Sequence, residues 1–246
     1  MNGNWATLLT SAAVAALVSA GGVLAALHWS GASAPSDGRI HGYLLKHPEV
    51  MIEMQNALQR KADERAQEEE QAALDKIGLR ALFDPRVAFV TGPANARKSV
   101  VEFFDYNCPH CRNSFPVFRK FYEAHKNDTR FAFIELPIFG QASVDAARSA
   151  LAARNQPDKY VAFHFALMAQ KGEINPSNTI EAAHSAGLDV NKLMADLKDP
   201  AIVPELVAAR ALAERIKLDG TPLFVVDGKV HTGEITLEKL EQLTKS

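Results

Sequence analysis

The stretch that decides the fold lies at residues 99–111 and reads SVVEFFDYNCPHC. Residues 99–106 are rich in β-branched and aromatic side chains, which is typical of a buried strand. The Asn-Cys-Pro sequence that follows favours a helix start, because proline is tolerated in a first helical turn. The stretch therefore predicts a strand that leads into a helix, with Cys108 and Cys111 at the helix N-terminus.

These are the only two cysteines in a chain of 246 residues, so we expect them to act as a unit. Two cysteines at i and i+3 of a helix lie on one face, close enough to form a small disulfide ring. The helix N-terminus stabilises a thiolate at Cys108, and a protonated His110 adds to this effect. We therefore expect Cys108 to form a mixed disulfide with a substrate and Cys111 to resolve it.

Other kinds of site fit the pair less well. A structural zinc ion needs two further ligands, and the remaining histidines show no paired ligand spacing. An inert disulfide across so small a loop would constrain the unfolded chain little. The net charge of −2 argues against a nucleic-acid binder, and there is no phosphate-binding loop or dinucleotide fingerprint. The sequence therefore predicts redox chemistry without a cofactor or a metal site.

The rest of the main domain alternates strands and helices. Hydrophobic patterning predicts an α/β sandwich with a helical insertion at about residues 141–217. The predicted strands are 86–90, 99–106, 130–138, 222–226 and 229–232, and the predicted helices begin at 107 and cover parts of 144–217 and 237–243.

Residues 1–36 contain no Asp, Glu, Lys or Arg. Within them, residues 6–27 form an apolar run that as a helix would extend about 33 Å, enough to cross a bilayer core. We expect either an uncleaved membrane anchor or a removed signal peptide, with a buried helix of a soluble domain as the third possibility. Both leading interpretations export residues 37–246 to the periplasm.

Residues 37–83 are predicted to form a charged helical stalk. Of the 41 residues at 37–77, 15 are charged, and a narrow apolar stripe recurs among them at helical spacing. Such a stripe favours self-association through residues 37–77, while the alternative is a solvated spacer. Met51 and Met54 could bind copper, although methionines on a helix are more often packing residues.

Two segments of the sequence resemble the DsbA family of thioredoxin-fold disulfide oxidoreductases. They are residues 103–111, which include the Cys-Pro-His-Cys motif, and residues 220–228, which read GTPLFVVDG. The resemblance covers about residues 84–246 and implies a thioredoxin fold with an inserted helical domain. Residues 43–50, which read YLLKHPEV, look like the N-terminal extension of ScsC-type members, some of which oligomerise through it.

The resemblance implies roles for five residues besides the cysteines. Pro222 matches the cis-proline that faces the active site, and with Thr221 it lies where a bound polypeptide pairs like an added strand. Pro109 and His110 are the central residues of the motif, with His110 tuning the redox behaviour. Glu102 matches a buried acid that accepts the proton of the second thiol. From the residues alone, the Thr-Pro pair fits an ordinary trans turn, His110 an exposed helix position, and a strand glutamate is usually exposed.

The resemblance also implies a function. We expect an envelope thiol:disulfide oxidoreductase, an oxidase or an isomerase, that acts on unfolded or misfolded exported polypeptides with cysteines. A membrane redox partner would recycle the cysteine pair. The alternative is a copper-handling protein that binds Cu(I) through the two thiolates, because ScsC-type proteins are associated with copper tolerance.

Overall fold

The computed structural model of the protein describes residues 37–245. They fall into two compact units that divide between Gln59 and Arg60. The predicted membrane segment at residues 6–27 lies outside the described residues. Among the described residues, no helix is long and apolar enough to cross a membrane.

The unit before Arg60 is helical. It contains α1 (Asp37–Lys46) and the first part of α2 (Glu49–Ile77). No residue of α1 is buried, and large apolar side chains are exposed along both helices. They are Ile40, Tyr43, Leu45, Met51, Ile52, Met54 and Leu58. The predicted stripe is therefore present as exposed apolar surface within this unit.

The second half of α2 belongs to the larger unit, which begins earlier than the predicted domain boundary between residues 83 and 84. The difference arises from two glutamines of α2. Gln67 Nε2 donates to Val230 O at 2.9 Å, and Gln71 accepts from Val230 N at 2.8 Å and donates to Gly228 O at 2.9 Å. Ala73 and Leu74 are buried on the same part of the helix. Residues 60–77 are thus attached to the sheet.

The larger unit is built on a five-stranded sheet with the strand order β1-β3-β2-β4-β5. Strands β2 and β3 are parallel, and the other neighbouring pairs are antiparallel. The strands are β1 (Phe89–Thr91), β2 (Lys98–Phe104), β3 (Thr129–Glu135), β4 (Leu223–Val226) and β5 (Lys229–Thr232).

Helices cover both faces of this sheet. Side chains alternate along β2, so Val100 and Phe104 enter one apolar cluster while Val101 and Phe103 enter the other. The first cluster contains both cysteines. The helices of the larger unit, after α2, are α3 (Pro109–His125), α4 (Gln141–Ala153), α5 (Pro157–Met168), α6 (Pro176–Ser185), α7 (Val190–Asp196), α8 (Ile202–Arg215) and α9 (Leu237–Thr244), with a 3-10 helix at Leu79–Phe83.

This arrangement is a thioredoxin-like α/β fold with a mixed sheet, which confirms the predicted fold of the main domain. Five helices, α4 to α8, lie between β3 and β4, where the helical insertion was expected. Several details differ from prediction. Strands β2 and β3 end at Phe104 and Glu135 instead of residues 106 and 138. The first strand begins at Phe89 instead of residue 86, because a turn at residues 84–88 closes through N–H groups that donate to Asp84 O. The 3-10 helix at 79–83 carries no sequence pattern long enough to predict it.

Gly92 provides a stability test of this sheet. It has a φ of +85°, and a Cβ there would lie 2.1 Å from Thr129 O. We expect Gly92→Ala to lower the free energy of unfolding by about 3 kcal/mol or more, because backbone strain and overlap act together. Gly187, at the C-terminal end of α6, has a φ of +71° and only the end of the Lys159 side chain near a Cβ, at 3.8 Å, so it is the matched control.

For Gly187→Ala we expect a loss of only about 1 kcal/mol, from the positive φ alone. Urea denaturation measures both values. Equal losses in the two variants would contradict the close approach of Gly92 to β3.

Candidate active site

The cysteine motif lies where β2 passes into α3. Cys108 is the N-cap residue of α3, with extended backbone angles, and Pro109 occupies the first turn, where a helix needs no backbone N–H donor. Both Cys108 and Cys111 are free thiols and both are buried. The strand-to-helix junction thus places two thiols on one turn of helix.

The two thiols differ in acidity. The pKa of Cys108 falls to about 6, chiefly because it receives a hydrogen bond from the Cys111 thiol, and the backbone N–H groups of Cys111 and His110 act in the same direction. Burial raises the pKa of Cys111 far above its usual range, and the hydrogen bond to Cys108 raises it further. At neutral pH, Cys108 is therefore the thiolate and Cys111 the thiol.

The loop before β4 contacts the reactive sulfur. The Thr221–Pro222 peptide bond is cis. In the thiol form, Cys108 Sγ donates to Thr221 O at 3.1 Å. Thr221 Oγ1 is buried without a hydrogen-bond partner. The structure thus brings Thr221 to the cysteine pair, while the part of Thr221 and Pro222 in substrate binding stays a prediction.

The ring of His110 contacts a residue that the sequence did not indicate. His110 Nδ1 and Glu234 Oε1 are 2.7 Å apart, and Asn113 Nδ2 donates to the same oxygen at 2.9 Å. The Glu234 carboxylate raises the pKa of His110, and the two donors lower the pKa of Glu234. Glu234 follows β5, far from the motif in sequence, so no spacing could have revealed the contact.

Two further residues that the sequence did not indicate, Asp105 and Asn107, fix the turn between β2 and α3. Asp105 accepts hydrogen bonds from Asn107 N and Ser143 Oγ, both at 2.7 Å, and from the backbone of Ile138 at 2.7 Å. Asn107 Oδ1 accepts from Ile174 N at 2.7 Å. The turn is thus tied to the helical insertion. Asp and Asn are common turn residues, and their position directly before the motif is the signal that could have found them.

Glu102 is only 1% exposed, so the alternative of an exposed strand residue does not hold. It lies on β2 opposite Phe224 of β4, on the same face as Val100 and Phe104. Its role in proton transfer is not tested by this geometry and stays a prediction. Glu135, which the sequence left undecided, is also buried, and burial raises its pKa to about 8.

Within residues 37–245, no group of three or more His, Cys, Asp or Glu side chains could hold a metal ion. Around the helix start lie the two thiols, the carbonyl oxygen of Thr221 and the contact between His110 and Glu234. This arrangement can exchange disulfides through Cys108, because a thiolate is the attacking and leaving species in such exchange.

The fold and the site define the class of protein: a thioredoxin-fold protein with a buried dithiol at a helix N-terminus. A family model described as a DSBA-like thioredoxin domain matches residues 99–245, and the N-terminal domain of the copper resistance protein ScsC matches residues 37–65. The chain belongs to the DsbA-like thioredoxin family of thiol-disulfide oxidoreductases.

Solved structures agree with this assignment. A thioredoxin-like oxidoreductase from Silicibacter pomeroyi DSS-3 is 37% identical over 68% of this chain and 96% of its own, with a TM-score of 0.62. The thiol-disulfide exchange protein alpha-DsbA2 from Wolbachia pipientis is 26% identical over 72% of this chain and 94% of its own, with a TM-score of 0.65. A periplasmic thioredoxin-like protein from Salmonella enterica serovar Typhimurium is 27% identical over 67% and 92%, with a TM-score of 0.60.

Among curated proteins, the Na(+)/H(+) antiporter NhaA 1 of Salinispora arenicola is 27% identical over 69% of this chain. The chain spans only 26% of that relative's length.

The contact between His110 and Glu234 gives a testable prediction. In Glu234→Gln we expect the pKa of His110 to fall and that of Cys108 to rise above about 6, because Glu234 favours the charged imidazole and that charge lies beside the thiolate. The pH dependence of Cys108 alkylation and the NMR titration of His110 measure the two changes.

The matched control is Glu241→Gln. It removes a carboxylate of α9 that pairs with Lys245, the residue directly after this helix. It should leave both titrations unchanged. If Glu234→Gln also leaves them unchanged, Glu234 does not act on the thiolate.

Proposed function

We propose that the protein is a thiol:disulfide oxidoreductase of the bacterial cell envelope, which introduces disulfides into exported polypeptides that contain cysteines. The observation that carries the proposal is the opposed acidity of two adjacent buried thiols, Cys108 and Cys111. A stabilised thiolate favours the reduced form of the pair, so its disulfide is an oxidant.

The proposed reaction has two exchanges. A substrate thiolate attacks Cys108 Sγ of the enzyme disulfide, a substrate–Cys108 bond forms, and the bond to Cys111 breaks. A second substrate thiolate then attacks the substrate sulfur, forms the substrate disulfide and releases Cys108 as a thiolate. Two electrons pass from the substrate dithiol to the enzyme, and the Cys111 thiolate takes up one proton. A membrane redox partner would reoxidise the pair.

The remaining predicted site residues have distinct proposed roles. Thr221 and Pro222 would hold the substrate beside Cys108, with backbone groups that pair as in an added strand; the contact from Cys108 Sγ to Thr221 O supports this. Pro109 fixes the first turn of α3 and His110 supports the thiolate. Glu102 would exchange the proton of Cys111.

Isomerisation is the second candidate function, and the exposed apolar residues before Arg60 favour it. An exposed stripe of this kind supports self-association, and a multivalent enzyme can hold a misfolded substrate while one thiolate attacks it.

A periplasmic location is proposed from the periplasmic relative in Salmonella and from the predicted export segment. Copper(I) could bind the two thiolates of Cys108 and Cys111, but two ligands without a third thiol favour exchange chemistry.

The exchange mechanism predicts a trapped intermediate. In Cys111→Ser, a mixed disulfide between Cys108 and a cysteine-containing peptide should accumulate, because the resolving thiol is absent. Non-reducing electrophoresis and mass spectrometry detect it. Cys108→Ser is the matched control and should form none; the absence of a trapped species in Cys111→Ser would contradict the proposed function.

Self-association predicts a change in mass. In the double variant Met51→Lys and Leu58→Lys, we expect the mass in solution to fall to that of one chain, together with a severalfold loss in reactivation of scrambled ribonuclease. Both side chains are exposed, so the substitutions remove apolar surface without disturbing a core. Light scattering coupled to gel filtration measures the mass.

Asn56→Lys, at an exposed polar position of the same helix that faces away from Met51 and Leu58, is the control and should change neither quantity. A wild-type protein that already has the mass of one chain would remove the argument for isomerisation by a multivalent enzyme.

A further inference from the structure

A network of polar side chains lies inside the apolar cluster that contains the cysteines. It joins strands β2 and β3 to the insertion helix α5, and each of its members is at most 1% exposed. The members are Glu102, Tyr106, Glu135, Tyr160 and His164. Buried polar groups cost free energy unless they are paired, so each unpaired atom here needs a physical account.

Two atoms of the network have no hydrogen-bond partner: Glu102 Oε2 and His164 Nε2. They lie 3.7 Å from each other, a distance longer than a hydrogen bond but within the range of an ion pair. The rings of Phe104 and Phe133 pack against the imidazole, with centroids 4.5 Å and 4.9 Å from it. The two unpartnered atoms thus face one another in an apolar enclosure.

The other hydrogen bonds of the network determine whether a proton lies between His164 Nε2 and Glu102 Oε2. His164 Nδ1 lies 3.0 Å from the hydroxyl of Tyr106. If Tyr106 donates to Glu135, Nδ1 must carry the hydrogen, and Nε2 is bare unless the ring is charged. If Tyr106 donates to Nδ1 instead, a neutral ring carries its hydrogen on Nε2.

In both arrangements one proton must lie between Nε2 and Oε2, since two lone pairs facing each other in a buried site repel. The proton is on Glu102 beside a neutral ring, or on His164 beside a carboxylate. When the pair gives its proton to a buried thiolate, the negative charge passes from that sulfur to Glu102, so the number of buried charges does not rise.

We propose that His164 is a positioning residue of the redox reaction, which shares one proton with Glu102 and thereby keeps Glu102 ready to protonate the Cys111 thiolate when the enzyme disulfide opens. This inference rests on the proposed function. In that function Glu102 exchanges the proton of Cys111, and His164 acts through Glu102.

The proton has most effect when the enzyme disulfide opens, because Cys111 is a poorer leaving group than Cys108. Burial raises the pKa of Cys111, and a sulfur of high pKa leaves slowly as a bare thiolate. A substrate thiolate attacks Cys108 Sγ, the bond from Cys108 to Cys111 breaks, and the pair of electrons goes to Cys111 Sγ. The proton of the Glu102–His164 pair then converts that sulfur to a thiol, and solvent later restores the proton to the pair.

The fold supports this placement. Glu102 lies on the sheet face whose apolar cluster contains Cys111, and its register partner Phe224 follows Pro222 by two residues. His164 comes from α5 and is 0% exposed, so the helical insertion supplies one member of the pair. The charged and titratable groups around the pair are Tyr106, Glu135, Tyr160 and Arg154. Glu205 pairs with Arg154, and the charge of Asp105 acts on Glu135.

The experiment compares the rate at which a cysteine peptide opens the disulfide of the full-length protein and of His164→Gln. Rates are divided by the thiolate fraction of the peptide. The wild-type rate should stay flat from about pH 6 to about pH 8, because the proton comes from the stored pair. In His164→Gln the rate should be lower by on the order of tenfold near neutral pH and should fall further as pH rises.

Tyr160→Phe is the matched control. It removes a buried hydroxyl that donates to Glu135 at 3.1 Å and leaves Glu102 and His164 in place. It should lose stability to a similar degree but keep the flat pH profile. A flat profile in His164→Gln, or the same slope in Tyr160→Phe, would overturn the proposal.

A measurement on the wild-type protein avoids dependence on the folding of a variant. The ¹⁵N chemical shifts of His164 report which ring nitrogens carry hydrogen in the oxidised and the reduced protein. The ¹³C chemical shift of the Glu102 carboxyl group reports whether that group is protonated. The proposal expects one proton in the pair in the oxidised protein, either on Glu102 beside a bare Nε2 or on Nε2 beside a carboxylate, and a carboxylate beside a bare Nε2 would overturn it. If Cys111→Ser traps no mixed disulfide, the proposed function itself fails, which is a different result.

Discussion

The rest of the site depends on one constraint: two thiols one helical turn apart are held in environments that favour opposite charge states. Cys108 caps a helix, where backbone N–H groups and the Cys111 thiol stabilise its thiolate. Cys111 is buried one turn further on, where burial disfavours a charge. The Cys111 thiol can donate to the Cys108 thiolate only if the geometry of the turn is fixed. Hydrogen bonds of Asp105 and Asn107 fix this geometry.

Much of the fold could be predicted from the sequence because its signals are local. The apolar run before Cys108, the proline after it and the Thr-Pro before β4 each act on their own neighbours in the chain. The thioredoxin-like sheet and the helical insertion follow from them. The extent of the stalk could not be predicted in this way, because Gln67 and Gln71 attach to a hairpin that lies far away in sequence.

The same distinction between local signals and distant contacts applies to the candidate site. The cysteines, His110 and the residues at 221 and 222 could be named from short motifs, and the structure brings them together. Glu234 and His164 could not be named, because their partners, His110 and Glu102, lie on other elements. A lone histidine on an apolar helix face gives no sequence sign of a buried carboxylate opposite it.

The attachment of α2 to β5 covers part of the exposed edge of the sheet. β5 ends the sheet, and its backbone would otherwise offer unpaired donors and acceptors to any unfolded polypeptide. Gln67 and Gln71 occupy the N–H and C=O of Val230 and the C=O of Gly228 with side-chain amides, so the helix imitates a neighbouring strand. Along this stretch of the sheet edge, another extended chain finds no free backbone partner, so the sheet cannot grow by strand addition there.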